Sequence, residues 1–192
     1  MAGSIEPTYV IAGGVLLLLL AIGISYNRFV TQRNLIESSW SNIDTELRRR
    51  YDLIPNLVET VKAYAAHEQA VLHQVTVART GAVRATGSPA DQARAETPLV
   101  AALRQLMAVA ENYPQLKAST HFLALQNQLT HTEDRIQAAR RFYNSNVQGY
   151  NRRIGSIPSN LIAAIFGFKL AEYFEIEPAM RPVMEAAPQV KY

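Results

Sequence analysis

Four histidines, His67, His73, His121 and His131, are the first candidates for metal or acid–base chemistry, and their spacing works against them. Two ligands on one helical face need a separation of three or four residues, whereas these fall in pairs six and ten apart. His67-Glu68 begins like the zinc motif H-E-x-x-H, but Val71 stands where the second histidine belongs. Glu-x-x-His, the dimetal signature of helical bundles, is missing too. A metal held across helices by histidines and carboxylates is the one arrangement that spacing leaves open. With no cysteine, the chain has neither a disulfide nor a thiolate nucleophile. The glycines form no phosphate-cradling loop, dinucleotide fingerprint or nucleophile elbow. Neighbouring carboxylates Glu133 and Asp134 point about 100° apart on a helix, too far to work as an acid–base pair.

Basic and aromatic clusters come next. Arg48-Arg49-Arg50 suggests an anionic lipid surface, yet a helix running on from Tyr26 would carry Arg48 about 33 Å from the headgroups. Attraction to lipid fades within roughly 8–10 Å. Intrahelical pairing of Asp44 with Arg48 and Glu46 with Arg50, or contact with a protein partner, is the better use of these charges. Around Arg140 to Arg153 the rings of Tyr143 and Tyr150 share a helical stripe with Val147, which assigns them to a core and not to a nucleic-acid platform. Nineteen basic and 16 acidic residues, interspersed to a net charge of +3, also argue against nucleic acid. The polar face carrying Asp134, Arg141 and Asn144, with Arg48, Arg49, Asp52 and Asn56, is the expected protein-contact surface.

The elements that position these residues begin with an apolar run from Tyr9 to Tyr26, YVIAGGVLLLLLAIGISY. Eighteen residues span about 27 Å as a helix, close to the hydrocarbon thickness of a bilayer. Tyr9 and Tyr26 then lie at the two headgroup levels. Residues 1–8 have no basic n-region, which favours a retained anchor, while Ala21-Ile22-Gly23 keeps a cleaved signal peptide as the rival. Arg28 and Arg33 follow the run, so the positive-inside rule places the N-terminus outside and the body in the cytoplasm of the plasma (inner) membrane.

Beyond the anchor, apolar residues recur at Ile36, Trp40, Ile43, Leu47, Tyr51, Ile54, Val58, Val61 and Ala65, one face of a long helix with a kink at Pro55. The pattern runs through His67 to Ala85 and stops at Thr86-Gly87-Ser88-Pro89. Ser88, Pro89 and Asp91 read as N-cap, N1 and N3; the stretch to Glu96 reads as weak helix or loop, and Pro98 as the start of the next firm helix. Ser119 or Thr120 opens the last long helix, which Gly155 and Pro158 close. No segment alternates like a strand. The fold expected is all-α: a transmembrane helix (9–26), an antiparallel four-helix bundle (27–174) and a Pro-containing irregular tail (175–192). Leu161 to Phe174 is dense in apolar residues and is expected to cap the bundle, with contact to the membrane interface as the alternative.

RRYDLIPNLVETVKAYAAHE (Arg49 to Glu68), ENYPQLKA (Glu111 to Ala118), TEDRIQAARRFYNSNVQGYN (Thr132 to Asn151) and IPSNLIA (Ile157 to Ala163) together resemble the LemA family, in the right order and over most of the chain. Ile157 departs from the phenylalanine the family often carries. The resemblance implies a single-pass membrane protein with its N-terminus outside and a bundle of bromodomain-like topology. It implies no established enzymatic activity. Some relatives are linked to membrane-organelle formation and others sit beside membrane-protease genes. Fold likeness alone assigns no ligand. The function expected is a non-enzymatic membrane scaffold without a cofactor, meeting the bilayer through its anchor and protein partners such as a protease or membrane-organising protein through its polar surfaces. Self-association stays open. A bundle binding lipid or an apolar small molecule, or an enzyme with a site between helices, are the alternatives.

Overall fold

The computed structural model describes residues 7–176, and among them every regular element is a helix. In chain order these are α1 (Pro7–Tyr64), α2 (Gln69–Arg84), α3 (Pro89–Ala110), α4 (Pro114–Lys117), α5 (Thr120–Gly155) and α6 (Ser159–Phe166). The expected helical bundle fold holds. The irregular tail lies outside the described residues except for its first two.

α1 carries the apolar run and continues through Tyr26 and Pro55 without a break. Proline at position 55 removes the hydrogen bond that the carbonyl of Tyr51 would otherwise accept. Arg79 of α2 replaces it, its Nε donating to that carbonyl at 2.6 Å. The helix stops at Tyr64 and a new one starts at Gln69, so the expected continuation through His67 does not occur. Glu68 N donates to the Ala65 carbonyl in the turn between them.

Ser88 caps α3 as its sequence indicates: Asp91 N donates to Ser88 Oγ, and Ser88 N to Asp91 Oδ2. This box starts the helix at Pro89, nine residues before Pro98, which lies inside it. The weak helix read up to Glu96 is therefore firm. The side chain of Pro98 is exposed, so on that face water can serve the carbonyl of Arg94 that the proline leaves unpaired.

The chain forms two compact units. The larger, described over residues 41–141 and 172–176, is built from the C-terminal part of α1 with α2, α3, α4 and the first part of α5. Its core includes Ile43, Leu47, Ile54, Leu99, Leu106 and Ile136, all almost completely buried. The smaller, described over residues 7–40 and 142–171, joins the start of α1 to the end of α5 and α6. Phe29, Tyr150, Ile162 and Ala163 form its centre, with Ile22 and Phe168 packed against them. Phe29 stacks on Phe168 with centroids 4.8 Å apart and meets the Tyr150 ring edge-on at 6.0 Å. Gly167 ends α6 at φ 71°, a left-handed conformation that glycine adopts without a Cβ penalty. Asn151 then holds the segment that follows by two hydrogen bonds of 2.9 Å with the backbone of Ala171.

Candidate functional site

Within the larger unit, three helical segments bring ionisable side chains together in the core. Arg50 of α1 and Glu96 of α3 are both 0% exposed and form an ion pair. Tyr51 Oη donates to the same carboxylate. Gln92, one turn before Glu96, donates through Nε2 to Glu96 Oε1 at 3.0 Å and to the Ala82 carbonyl at 3.1 Å. From α5, Glu133 accepts from Arg50 Nη1 at 2.8 Å while keeping part of its own side chain in solvent. Burial, followed by the charge of Glu96 and the bond to it, pushes the Tyr51 phenol well above its ordinary range.

The buried members of this grouping are already engaged with one another. Glu96 is engaged by a guanidinium, a phenol and an amide, and Tyr51 holds its proton too firmly to act as a base near neutrality. It offers neither a free acid nor a free base. What it can do is fix the register of α1, α3 and α5, because any slip would leave a buried charge unpaired. Arg50 also floors a recess of about 340 Å3 edged by Arg104, Glu133, Asp134 and Gln137. Its Nε has no hydrogen-bond partner. Among the described residues, no group of three or more histidines and carboxylates is placed to hold a metal ion.

Spacing alone pairs Arg50 with Glu46 along α1. Instead Glu46 meets Arg49 at 3.7 Å and Arg135 at 3.2 Å, and Arg50 turns inward. The signal was present: positions 43, 47, 50, 54, 57 and 61 follow one helical stripe, as do 93, 96, 99 and 103 on α3. Charge at Arg50 and Glu96 concealed the period.

Of the expected partner-surface residues, Arg48, Arg49, Asp52 and Asn56 are exposed on α1. Arg48 pairs with Asp44 at 2.9 Å, as its spacing indicates, and Arg48, Arg49 and Asp52 edge one shallow surface recess. Asp134 and Arg141 are exposed on α5, Asp134 beside the Arg50 recess. Asn144, half-buried, belongs to the smaller unit. Tyr9 is exposed, whereas Tyr26 packs against Phe166 and Phe168 at 4.9 and 5.7 Å between centroids.

The start of α1 differs from every other helix. Each large apolar side chain from Val10 to Leu20 is more than half exposed. It is the one described helix long and apolar enough to cross a membrane.

The LemA family model matches residues 39–192. Magnetosome protein MamQ 2 of Paramagnetospirillum magneticum is 32% identical over 179 residues, covering 80% of this chain and 66% of its own length. Magnetosome protein MamQ of Magnetospirillum gryphiswaldense is 29% identical over the same shares. Protein LemA of Metamycoplasma hominis is 24% identical over 156 residues, with 78% of this chain and 71% of its own covered. The chain thus spans just under two thirds of the length of the magnetosome relatives. None of these names denotes an enzyme.

Proposed function

Because this chain belongs to the LemA family, we propose that it is a membrane-anchored, non-enzymatic scaffold that presents a rigid cytoplasmic helical bundle to protein partners. The observation that carries the reading is the outward-facing apolar surface from Val10 to Leu20, on the same unbroken helix that supplies the bundle core at Ile43, Leu47 and Ile54. In water that surface would be unsupported; in a bilayer it is at home. The basic residues Arg28 and Arg33 just beyond it set the N-terminus outside. The magnetosome names of its relatives support a role in organising membranes.

The partner surface is the exposed α1 face of Arg48, Arg49, Asp52 and Asn56, joined by Asp134 and Arg141. Incorporating a photo-crosslinking amino acid at Arg48 or Asp52 of the full chain in intact membranes should trap a discrete partner, while the same residue on the exposed α2 position Val77 should not. Equal trapping at all three positions would reject the assigned surface.

A further inference from the structure

Within the smaller unit, α1, the end of α5 and α6 enclose a groove of about 810 Å3. Its two ends differ in chemistry. One wall at the deep end is Leu18, Ala21 and Ile22 of the apolar run, faced by Leu161 and Ile165 of α6. The other end is basic, with Arg28 one wall and Arg152 and Arg153 the opposite one. Among the described residues no carboxylate pairs with any of these three arginines; Arg153 lies over the Phe29 ring at 5.8 Å.

From Leu18 to Arg28 the helix rises about 15 Å. Over that distance the groove passes from purely aliphatic to cationic, the same succession a phospholipid presents from acyl chain to phosphate. α6 adds to the match. Ile162 and Ala163 face inward, whereas Leu161 and Ile165 are 62% and 74% exposed, with Phe166 and Leu170 exposed as well. In the apolar patch expected to cap the bundle, Ile162 and Phe174 are buried and Phe168 packs on Phe29, while Leu161, Ile165, Phe166 and Leu170 stay exposed. Leu161 and Ile165 line the groove together with Leu18, Ala21 and Ile22 of the apolar run. Gln32 sits at the basic end with a shielded Oε1 that lacks a donor.

We infer that this groove binds an acidic phospholipid of the cytoplasmic leaflet, with α6 embedded in the interface beside the anchor. Arg28, Arg152 and Arg153 hold the phosphate, the aliphatic end receives the acyl chain, and Gln32 accepts a hydrogen bond from a headgroup hydroxyl such as that of phosphatidylglycerol. The inference rests on the reading that the apolar run lies in a bilayer.

The chain has no cysteine, so Ile165→Cys gives a single attachment point for an environment-sensitive fluorophore on the full protein. Reconstitution uses phosphatidylcholine vesicles with and without phosphatidylglycerol. The probe should be quenched by acyl-brominated lipid and shielded from an aqueous quencher. Energy transfer to labelled phosphatidylglycerol should exceed that to labelled phosphatidylcholine. Arg28→Gln, Arg152→Gln and Arg153→Gln should each weaken that preference on the order of five-fold, about 1 kcal/mol, with Lys variants restoring most of it. Vesicle flotation reports the anchor separately. A chain that floats but shows a water-exposed probe, no preference for phosphatidylglycerol, or a preference indifferent to the arginines overturns the lipid site alone. Probe-to-probe transfer with the probe shielded from brominated lipid would assign the groove to a second copy and overturn it likewise. Failure to float would remove both the anchor and the inference built on it.

Discussion

The two units use apolar and charged residues in opposite ways. In the larger one, aliphatic side chains fill the interior and a charged pair, Arg50 with Glu96, is sealed among them. In the smaller one, aliphatic side chains of α1 and α6 point outward and the arginines stand on the surface beside them. Both follow one rule, that each group seeks the medium that solvates it. Water and protein are the only media the larger unit requires. The outward leucines of the smaller one call for a third.

The largest expected effect that separates the units comes from placing a charge in the filled core. Leu47→Asp should cost several kcal/mol and abolish cooperative melting of the full chain in detergent, because the carboxylate has no partner at a position 2% exposed. Leu17→Asp, in the exposed run, should leave the melt intact and reduce vesicle binding instead. An unchanged helical circular-dichroism melt for Leu47→Asp would refute the face assigned to α1.

Next comes the buried pair. Arg50→Met should cost about 3–5 kcal/mol by leaving the buried Glu96 carboxylate unpaired, Glu96→Leu less because Arg50 keeps its bond to Glu133, and the double variant should cost clearly less than the sum. The lost coupling would appear in a double-mutant cycle of melting temperatures. Additive costs would show that the pair does not hold the helices in register. By the same contrast, Arg152→Gln should shift stability by under about 0.5 kcal/mol, being exposed.

Alkali should act on the larger unit through Tyr51. Its folded-state proton is held above the ordinary value near 10, so its contribution is complete below that pH and declines as pH rises beyond it. Glu96, Arg50 and Gln92 face this phenol. Tyr51→Phe should therefore flatten the alkaline fall in melting temperature, leaving the smaller part due to Tyr113, raised by its bond to Glu68, and to buried Tyr150. An alkaline slope identical to that of the parent would contradict this. The smallest effects are local: Ser88→Ala should cost about 1 kcal/mol through its cap, and Arg48→Ala a few tenths at most.

Much of this was legible in sequence because helical periodicity survives in a chain with few competing signals. Leu47, Tyr143, Val147 and Tyr150 fell where their spacing put them, and Ser88-Pro89-Asp91 announced a helix start. Spacing assigns Arg50 to Glu46 because a charged residue does not count towards an apolar stripe, although Arg50 and Glu96 both lie buried on theirs. Pro98 reads as a helix start in sequence, yet it occupies an exposed face within α3. The groove could not be seen at all. It exists only because α5 and α6 return to α1, bringing Arg152 and Ile165 alongside residues more than a hundred positions earlier.

The account depends most on which side of a membrane each part occupies. In the cysteine-free parent, Gly3→Cys and Ser145→Cys can be exposed on intact cells to a membrane-impermeant thiol reagent. Labelling of Gly3→Cys alone, with Ser145→Cys reacting only after the membrane is opened, is the predicted result. Labelling of Ser145→Cys on intact cells would contradict the proposed topology and the cytoplasmic scaffold with it.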